Sequence, residues 1–450
     1  MTSKIDRRTF NQGAATIGAL AALHATGMSA LGSNERIQVG IIGVGNRGDQ
    51  LIDALLPHKD AEIVALCDVY EPYLEAAQKK VGGKARLYHD YRQLLDQKDI
   101  NAVVIATPDH WHALQFVAAC RAGKDVYVEK PLSLTISEGQ KMVAVAEETR
   151  AITQVGLHRR SSASIREAVE LICNGGIGKV SVVKCYHLRN ESPLGIGKPA
   201  DCAPPPGLDW DLWLGPAPKV AYNPNRCLYK FRWFQDYSGG QLTNFGTHYL
   251  DVIQWALGQD APRGVFAAGG KYAVTDNREI PDTMEVVWQY DGDTLVTMSQ
   301  FNANAAGGNK LGWELEFRGT HGTVLMQEGQ VEVIPERVRT REMPALSPIQ
   351  RKENTEQNKA VRGAMQPRSW KGKADTADHT RNFLDCIKSR KPTHCPVAVG
   401  HRSTSTTLLA KIALRRGRYL EWDAKNERVL NDEEANRLLA YEYRSPWRLV

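Results

Sequence analysis

No run of about 18 apolar residues occurs in this chain, which excludes a membrane-spanning helix of ordinary length. No CxxC pair occurs among Cys67, Cys120, Cys173, Cys185, Cys202, Cys227, Cys386 and Cys395, which argues against a zinc ribbon or a dithiol redox site. Several of these cysteines lie in apolar runs, where a free thiol serves as a small core residue. A disulfide between Cys202 and Cys227 stays open. An excess of charge is also lacking: 57 Lys and Arg against 51 Asp and Glu leave a net +6. Part of that excess sits at the start, where Lys4, Arg7 and Arg8 face one acid, Asp6. No basic stripe studded with aromatics accompanies it, so nucleic acid is not an expected partner. With 42% hydrophobic and 24% charged residues over 450 positions, the composition is that of a folded enzyme. The length is too great for one core and suits two domains.

The segment Asp6-Arg7-Arg8-Thr9-Phe10 resembles a twin-arginine export signal. Asn11 stands where that pattern prefers an apolar residue. Ala14 to Leu31 is rich in Gly and Ala, and small residues around Ala25–Ala30 offer a cleavage site. Residues 1–33 are therefore expected to be a signal peptide. A periplasmic protein, carried out folded by the twin-arginine machinery, is the corresponding expectation. That route suits an enzyme that acquires its cofactor before leaving the cytoplasm.

Residues 34–156 form the first expected domain. Ile37-Gln38-Val39-Gly40-Ile41-Ile42 reads as a strand, and Leu51, Ile52, Leu55 and Leu56 give the next helix one apolar face. Further strands are expected at Ile63–Cys67, Ala102–Ala106 and Val126–Val128. This alternation predicts a doubly wound parallel sheet of the Rossmann type, with helices on both faces. After residue 156 the pattern changes. Longer strands follow from Val180 to Ile334, several joined by tight turns such as Asp291-Gly292-Asp293. Residues 337–376 are polar, and helical patterns return over 378–390 and 401–415. The second domain, 157–450, is thus expected to be α+β with a large, mostly antiparallel open sheet, laid out as a meander.

Gly43-Val44-Gly45-Asn46-Arg47-Gly48 follows the first strand and opens the first helix, the context a dinucleotide-binding turn requires. Gly43 permits the turn, Gly45 lets a pyrophosphate approach the backbone, and Gly48 lets helix and strand pack closely. Asp68 ends the second strand, where a carboxylate accepts ribose hydroxyls and repels a 2′-phosphate. NAD is therefore expected over NADP. Thr107-Pro108-Asp109-His110-Trp111-His112 follows a later strand and is expected beside the cofactor. Its histidines and Asp109 suggest either a metal or a helix cap. No further ligand cluster accompanies them, and no metal is expected. Glu129-Lys130-Pro131 follows the Val126–Val128 strand, and a Lys there can hydrogen-bond a substrate oxygen and exchange protons when partly buried.

Together these motifs, with Gly239-Gly240-Gln241-Leu242-Thr243-Asn244-Phe245-Gly246-Thr247-His248-Tyr249-Leu250-Asp251, resemble the glucose–fructose oxidoreductase / inositol dehydrogenase (Gfo/Idh/MocA) family over residues 36–450. The leader, Asp209 to Pro216, and Phe231-Arg232-Trp233-Phe234 resemble its exported bacterial branch. The resemblance implies that Lys130 contacts substrate and cofactor, and that His248 belongs to the catalytic pair. Its partner in the family is an Asp four residues earlier, where this chain has Asn244. An amide there can orient the imidazole but cannot raise its pKa. On the substrate side the candidates are Arg160, Trp233 and Asp251. Residues 201–237 hold eight aromatics, which either stack on a sugar or form a lid on the large sheet. His158, Arg159 and Arg160 either reach the cleft or serve an interface.

The expected function is hydride transfer between NAD and a secondary hydroxyl or keto carbon of a sugar or sugar derivative. NAD is expected to be tightly bound and loaded before export. The alternative is redox-neutral cleavage of a glycoside through a transient 3-keto sugar, as the resemblance to glycoside hydrolase family 109 implies. A homo-oligomer through the open sheet is also expected.

Overall fold

Ile37, Val39, Ile41 and Ile42 are all buried, and so is every residue of two further strands, the signature of a sheet covered on both faces. The computed structural model describes residues 36–306, 312–338, 361–363, 365–373 and 376–450, so the expected leader at 1–33 lies outside the described residues. In chain order the first domain runs β1 (Ile37–Ile42), α1 (Asn46–Leu55), β2 (Ala61–Cys67), α2 (Glu71–Lys80), β3 (Arg86–Tyr88) and α3 (Tyr91–Leu95). It continues with β4 (Ala102–Ile105), α4 (Asp109–Arg121), β5 (Asp125–Val128), α5 (Ile136–Thr149) and β6 (Thr153–Val155). The six strands are parallel in the order β3-β2-β1-β4-β5-β6. Strand order reverses between β1 and β4, and the crevice at that point is where such sheets bind ligands. Leu51, Ile52 and Leu55 of α1 pack on one face, and Phe116 and Val117 of α4 on the other. Thr135 and Glu138 form a reciprocal capping box at the start of α5.

The second domain holds α6 (Ala163–Cys173), β7 (Val180–Leu188), α7 (Trp210–Leu214), α8 (Gly240–Leu257), β8 (Gly264–Gly270), β9 (Thr283–Tyr290) and β10 (Thr294–Phe301). Then come β11 (Leu315–Gly319), β12 (Gly322–Gln327), β13 (Gln330–Pro335), β14 (Arg337–Val338), β15 (Val361–Arg362) and β16 (Arg368–Lys371). The chain ends with α9 (Thr376–Ser389), α10 (Val397–Arg416), β17 (Leu420–Asp423), β18 (Arg428–Val429) and α11 (Glu433–Arg437). Ten strands form one sheet in the order β16-β13-β12-β11-β7-β10-β9-β8-β17-β18. Burial alternates along β9 and β10, so Val286, Trp288, Val296 and Met298 face a core shared with α8 and α10. The sheet is mostly antiparallel, as expected, but it is not a meander. β7 lies between β10 and β11 and runs parallel to β10. The physical reason is the connection: β7 is followed by the aromatic segment and α8, so the chain cannot return by a tight turn.

The two sheets do not correspond to two separate lengths of chain. Helix α9 packs Phe383, Leu384 and Ile387 into the first domain's core, and its Arg381 and Lys388 both bind Asp60, at 2.7 and 2.6 Å. The C-terminal tail covers the opposite face, where Trp447 meets Trp111 edge-on at 4.8 Å and Tyr443 donates to Glu138. Cys202 is exposed, Cys227 is buried, and both are free thiols, so no disulfide joins them.

Phe383 is 1% exposed, and Phe383→Ala is expected to cost about 3–5 kcal/mol through the cavity it leaves. Urea unfolding of the first domain reads that loss. Unchanged stability there would detach α9 from the first core.

Candidate functional site

The turn after β1 is built on close approach. Gly43 has φ +84°, and a Cβ there would stand 2.8 Å from the Ala106 carbon and the Thr107 nitrogen. A Cβ on Gly48 would lie 2.0 Å from the Gly43 oxygen, so only glycine lets α1 close on the turn. Asp68, at the end of β2, reaches under this turn and accepts from the Val44 amide at 2.8 Å and the Tyr70 amide at 3.0 Å. Burial pushes its pKa up to about 6, and the amides oppose that shift. A glycine cradle with helix amides at one end and a carboxylate at the other fits a dinucleotide.

This turn borders a cleft of about 850 Å³ between the two sheets. Of the expected cofactor-binding residues, Gly43, Gly45, Asn46, Arg47, Asp68, Thr107, Pro108, Glu129 and Lys130 line it. Val44 is a core residue, 3% exposed, and Gly48 acts through backbone packing. His110 and His112 do not face the cleft. His110 is packed against the Trp213 and Tyr237 rings and lies 3.2 Å from the Trp213 carbonyl, and burial pushes its pKa down to about 3. His112 bridges the carbonyls of Pro131, at 2.8 Å, and Thr107, at 2.9 Å. Along α4 it is Asp109, Trp111 and Gln115 that reach the cleft, so these histidines tie loops together beside the site. A partner the motif does not reveal is the Arg47–Glu129 pair, at 2.8 Å. Burial opposes ionisation of Glu129, but Arg47 and Lys130 hold its carboxyl below the usual range.

Lys130 leaves the end of β5 and meets α8 across the cleft. Its Nζ donates to Asn244 Oδ1, with the Asn244 carbonyl 3.4 Å away. Asn244 Nδ2 donates in turn to Gln241 Oε1 at 2.9 Å. Burial lowers the Lys130 pKa to about 8, against the opposing charges of Glu129 and Asp109. His248 lies one turn further along α8 and is 6% exposed. Its Nδ1 has no partner among the described residues. Burial, then the charge of Lys130, holds its pKa well below the ordinary imidazole value. The imidazole is therefore neutral, as expected, but Asn244 does not orient it. The amide is committed to Lys130 and Gln241. His158 stands against His248 instead, with ring centroids 5.0 Å apart, and lies 3.8 Å from Glu328.

Of the three substrate-side candidates, Trp233 lines the cleft. Arg160 and Asp251 do not: they pair with each other at 2.9 Å, and Ser403 adds a bond to Asp251 at 2.9 Å. Arg159 does line the cleft, bound to Glu314 at 2.6 Å. The aromatic segment forms a core of its own, with Trp213, Tyr222, Trp233, Phe234 and Tyr237 inside. It rests on the first domain, through Asp209 N to Val69 O at 2.9 Å, and on the connection between β8 and β9 of the large sheet, through Glu279 N to Trp233 O at 2.9 Å, with Ile280 inside its core. Trp213, Tyr229, Phe231 and Trp233 face the cleft, so one segment both covers the site and offers ring faces to a ligand. Arg189, Arg232, Gln241 and Glu328 also line the cleft; Arg232 and Gln241 fall in blocks that carry the family resemblance, and no local motif marks Arg189 or Glu328.

A family model described as an oxidoreductase family, NAD-binding Rossmann fold, matches residues 37–157, and its C-terminal alpha/beta domain matches 196–268 and 368–449. The chain is 26% identical over 271 residues to myo-inositol 2-dehydrogenase of Thermotoga maritima, covering 60% of this chain and 67% of that one. It is 34% identical over 124 residues to a glycosyl hydrolase family 109 protein of a Shewanella species, covering 26% of this chain and 27% of that one. Of the Shewanella protein's length it thus spans only about a quarter. Among solved structures, the WlbA dehydrogenase of Bordetella pertussis, in complex with NADH and UDP-GlcNAcA, shares the fold. The TM-score is 0.62 at 19% identity, over 86% of this chain and 99% of that one.

Because Asn244 touches Lys130, a carboxylate in its place would stabilise the ammonium. Asn244→Asp is expected to raise the Lys130 pKa from about 8 by roughly one to three units. Lysine side-chain NMR against pH measures this directly, and an unmoved Lys130 titration would break the assigned contact.

Proposed function

This chain belongs to the Gfo/Idh/MocA family of oxidoreductases, and from that premise we propose that it moves a hydride between NAD and a secondary hydroxyl or keto carbon of a sugar or sugar derivative. The observation that carries the proposal is the meeting of Lys130, Asn244 and His248 at the end of a glycine cradle, inside one cleft between two sheets. Gly43, Gly45 and Asn46 would hold the cofactor's phosphates, and Asp68 its ribose hydroxyls, which favours NAD over NADP. When bound, NAD supplies the acceptor or donor of the hydride.

The rest of the chemistry belongs to the chain. A neutral His248 offers a ring nitrogen to the hydroxyl proton. Lys130 Nζ donates to Asn244 Oδ1 and more weakly to the Asn244 carbonyl, and keeps a further N–H for the substrate oxygen. Its pKa near 8 lets it give and regain a proton near neutrality. The aromatic segment above the cleft excludes water from these groups. Glycoside cleavage through a transient 3-keto sugar is the second reading, favoured by the identity to the Shewanella family 109 protein.

Arg7-Arg8 supports export of the folded protein to the periplasm by the twin-arginine machinery, with NAD already tightly bound, since that compartment offers no dependable NAD supply. Phe266, Leu295 and Ile334 stand exposed on the open face of the ten-stranded sheet, which supports a homo-oligomer through that face.

Denaturing the purified protein and identifying the released nucleotide tests the cofactor. Sugars and glycosides are then added to the intact protein while reduced nicotinamide is followed. Stable reduction is the expected result; aglycone release without net reduction selects the second reading, and neither result refutes both. Lys130→Met and His248→Ala should each lower kcat by about 10²–10⁴-fold with NAD retained, and together by less than the product. Replacing Arg7 and Arg8 with Lys should leave the protein in the cytoplasm, and undiminished periplasmic protein after fractionation would sink the export assignment.

A further inference from the structure

Every carboxylate lining the cleft has a partner of its own. Glu129 pairs with Arg47, Glu191 with Arg278 at 2.7 Å, and Glu328 faces His158. Asp109 accepts from Ser238 Oγ at 2.6 Å, and Asp68 is held by backbone amides. The cations are not matched in the same way. Arg47 and Arg159 have carboxylates, but among the described residues Arg189 and Arg232 form an ion pair with none. Arg189 follows β7 and is exposed in the cleft beside His187 and Asn190. Arg232 comes from the aromatic segment, its guanidinium over the Tyr229 ring at 4.5 Å with one N–H on the Tyr229 carbonyl at 3.1 Å. Lys130 is also short of a counter-ion, since its direct partner is the neutral amide of Asn244.

We propose that the substrate of this cleft is an anionic sugar, bearing a carboxylate or a phosphate that Arg189 and Arg232 bind. The inference rests on the sugar oxidoreductase reading and names the substrate class. A guanidinium remains ionised at any physiological pH, and its planar fork matches a carboxylate or phosphate edge. Among the described residues Arg232 places one N–H on the Tyr229 carbonyl, and the other donors of both guanidiniums have no protein acceptor. An anion would engage those donors in charge-assisted bonds, which are about twice as strong as neutral ones. Tyr229 and Phe231 beside Arg232 supply ring surface for the C–H face of the sugar. The cofactor's phosphates are a poorer occupant for Arg189. That residue extends from the second sheet, whereas the glycine cradle belongs to the first.

The test is calorimetric titration of the NAD-bound protein with D-glucuronate, D-glucose 6-phosphate and D-glucose, without relying on turnover. One anionic probe should bind at least about tenfold more tightly than glucose, and its identity separates carboxylate from phosphate. Arg189→Gln and Arg232→Gln should each remove that preference and leave glucose binding as it was. Arg189→Lys should keep part of it, because the charge stays and the fork is lost. Equal or absent binding of the anionic probes overturns the inference. So does loss of retained NAD, in place of sugar affinity, in the Gln variants. Nicotinamide reduction by any sugar, anionic or neutral, reports separately on the oxidoreductase reading. A neutral-sugar dehydrogenase would therefore refute this inference and leave that reading standing.

Discussion

The hydrogen bond from Lys130 Nζ to Asn244 Oδ1 spans the cleft, and much of the architecture serves to hold its two ends. Lys130 is presented by β5, a strand buried along its whole length. Glu129, the residue before it, is fixed by Arg47 from the glycine turn and leaves no room for a side chain at Gly156. On the other side, α8 is anchored at its start, where Ser238 donates to Asp109, and further along, where Asp251 holds Arg160. The first of these contacts joins the two domains; the second is a buried ion pair within the second domain. Removing either partner of the Arg160–Asp251 pair would leave an uncompensated buried ion, which is far costlier than losing a surface pair.

That constraint also explains why the chain crosses between its domains more than once. A cleft shared by two sheets loses its geometry if the sheets rock freely. Helix α9 and the C-terminal tail return to cover opposite faces of the parallel sheet, and α10 packs against α5 of the first domain and α8 of the second. The aromatic segment adds a third attachment beside Asp68. Each attachment buries apolar surface that neither sheet could cover alone.

What was legible in the sequence was local. Gly43, Gly45 and Gly48 could be read because a turn that brings a helix onto a strand has few solutions, and Asp68 because its distance from that turn follows from one strand–helix–strand unit. Lys130, whose place at a strand end alone fits an ordinary surface lysine as well, was singled out, like His248, through the family resemblance. The failures are pairings between distant positions. Arg160 and Asp251 look like substrate ligands in isolation and turn out to satisfy each other. His110 and His112 sit in a motif beside the cofactor site, but helix geometry turns them to carbonyls of neighbouring loops. The meander failed for a related reason: tight turns fix antiparallel neighbours, whereas the long excursion after β7 leaves its partners to global packing, and β10 and β11 took it.

The amide at position 244 shows how a small departure changes a site's electrostatics while preserving its shape. An Asn oxygen accepts the lysine proton in the same place a carboxylate would, so Lys130 is still positioned. It does not supply the negative charge that would hold the ammonium protonated. Burial therefore prevails, and the amine settles near 8 rather than above its ordinary value. The same missing charge leaves nothing at Asn244 to raise the pKa of His248, whose imidazole stays neutral. Near neutral pH the imidazole is thereby free to accept a proton and the mostly protonated Lys130 to donate one, and Lys130 joins Arg189 and Arg232 as a cleft cation with no carboxylate paired to it among the described residues. The substitution thus tunes the proton chemistry and the charge the cleft will accept in a single step.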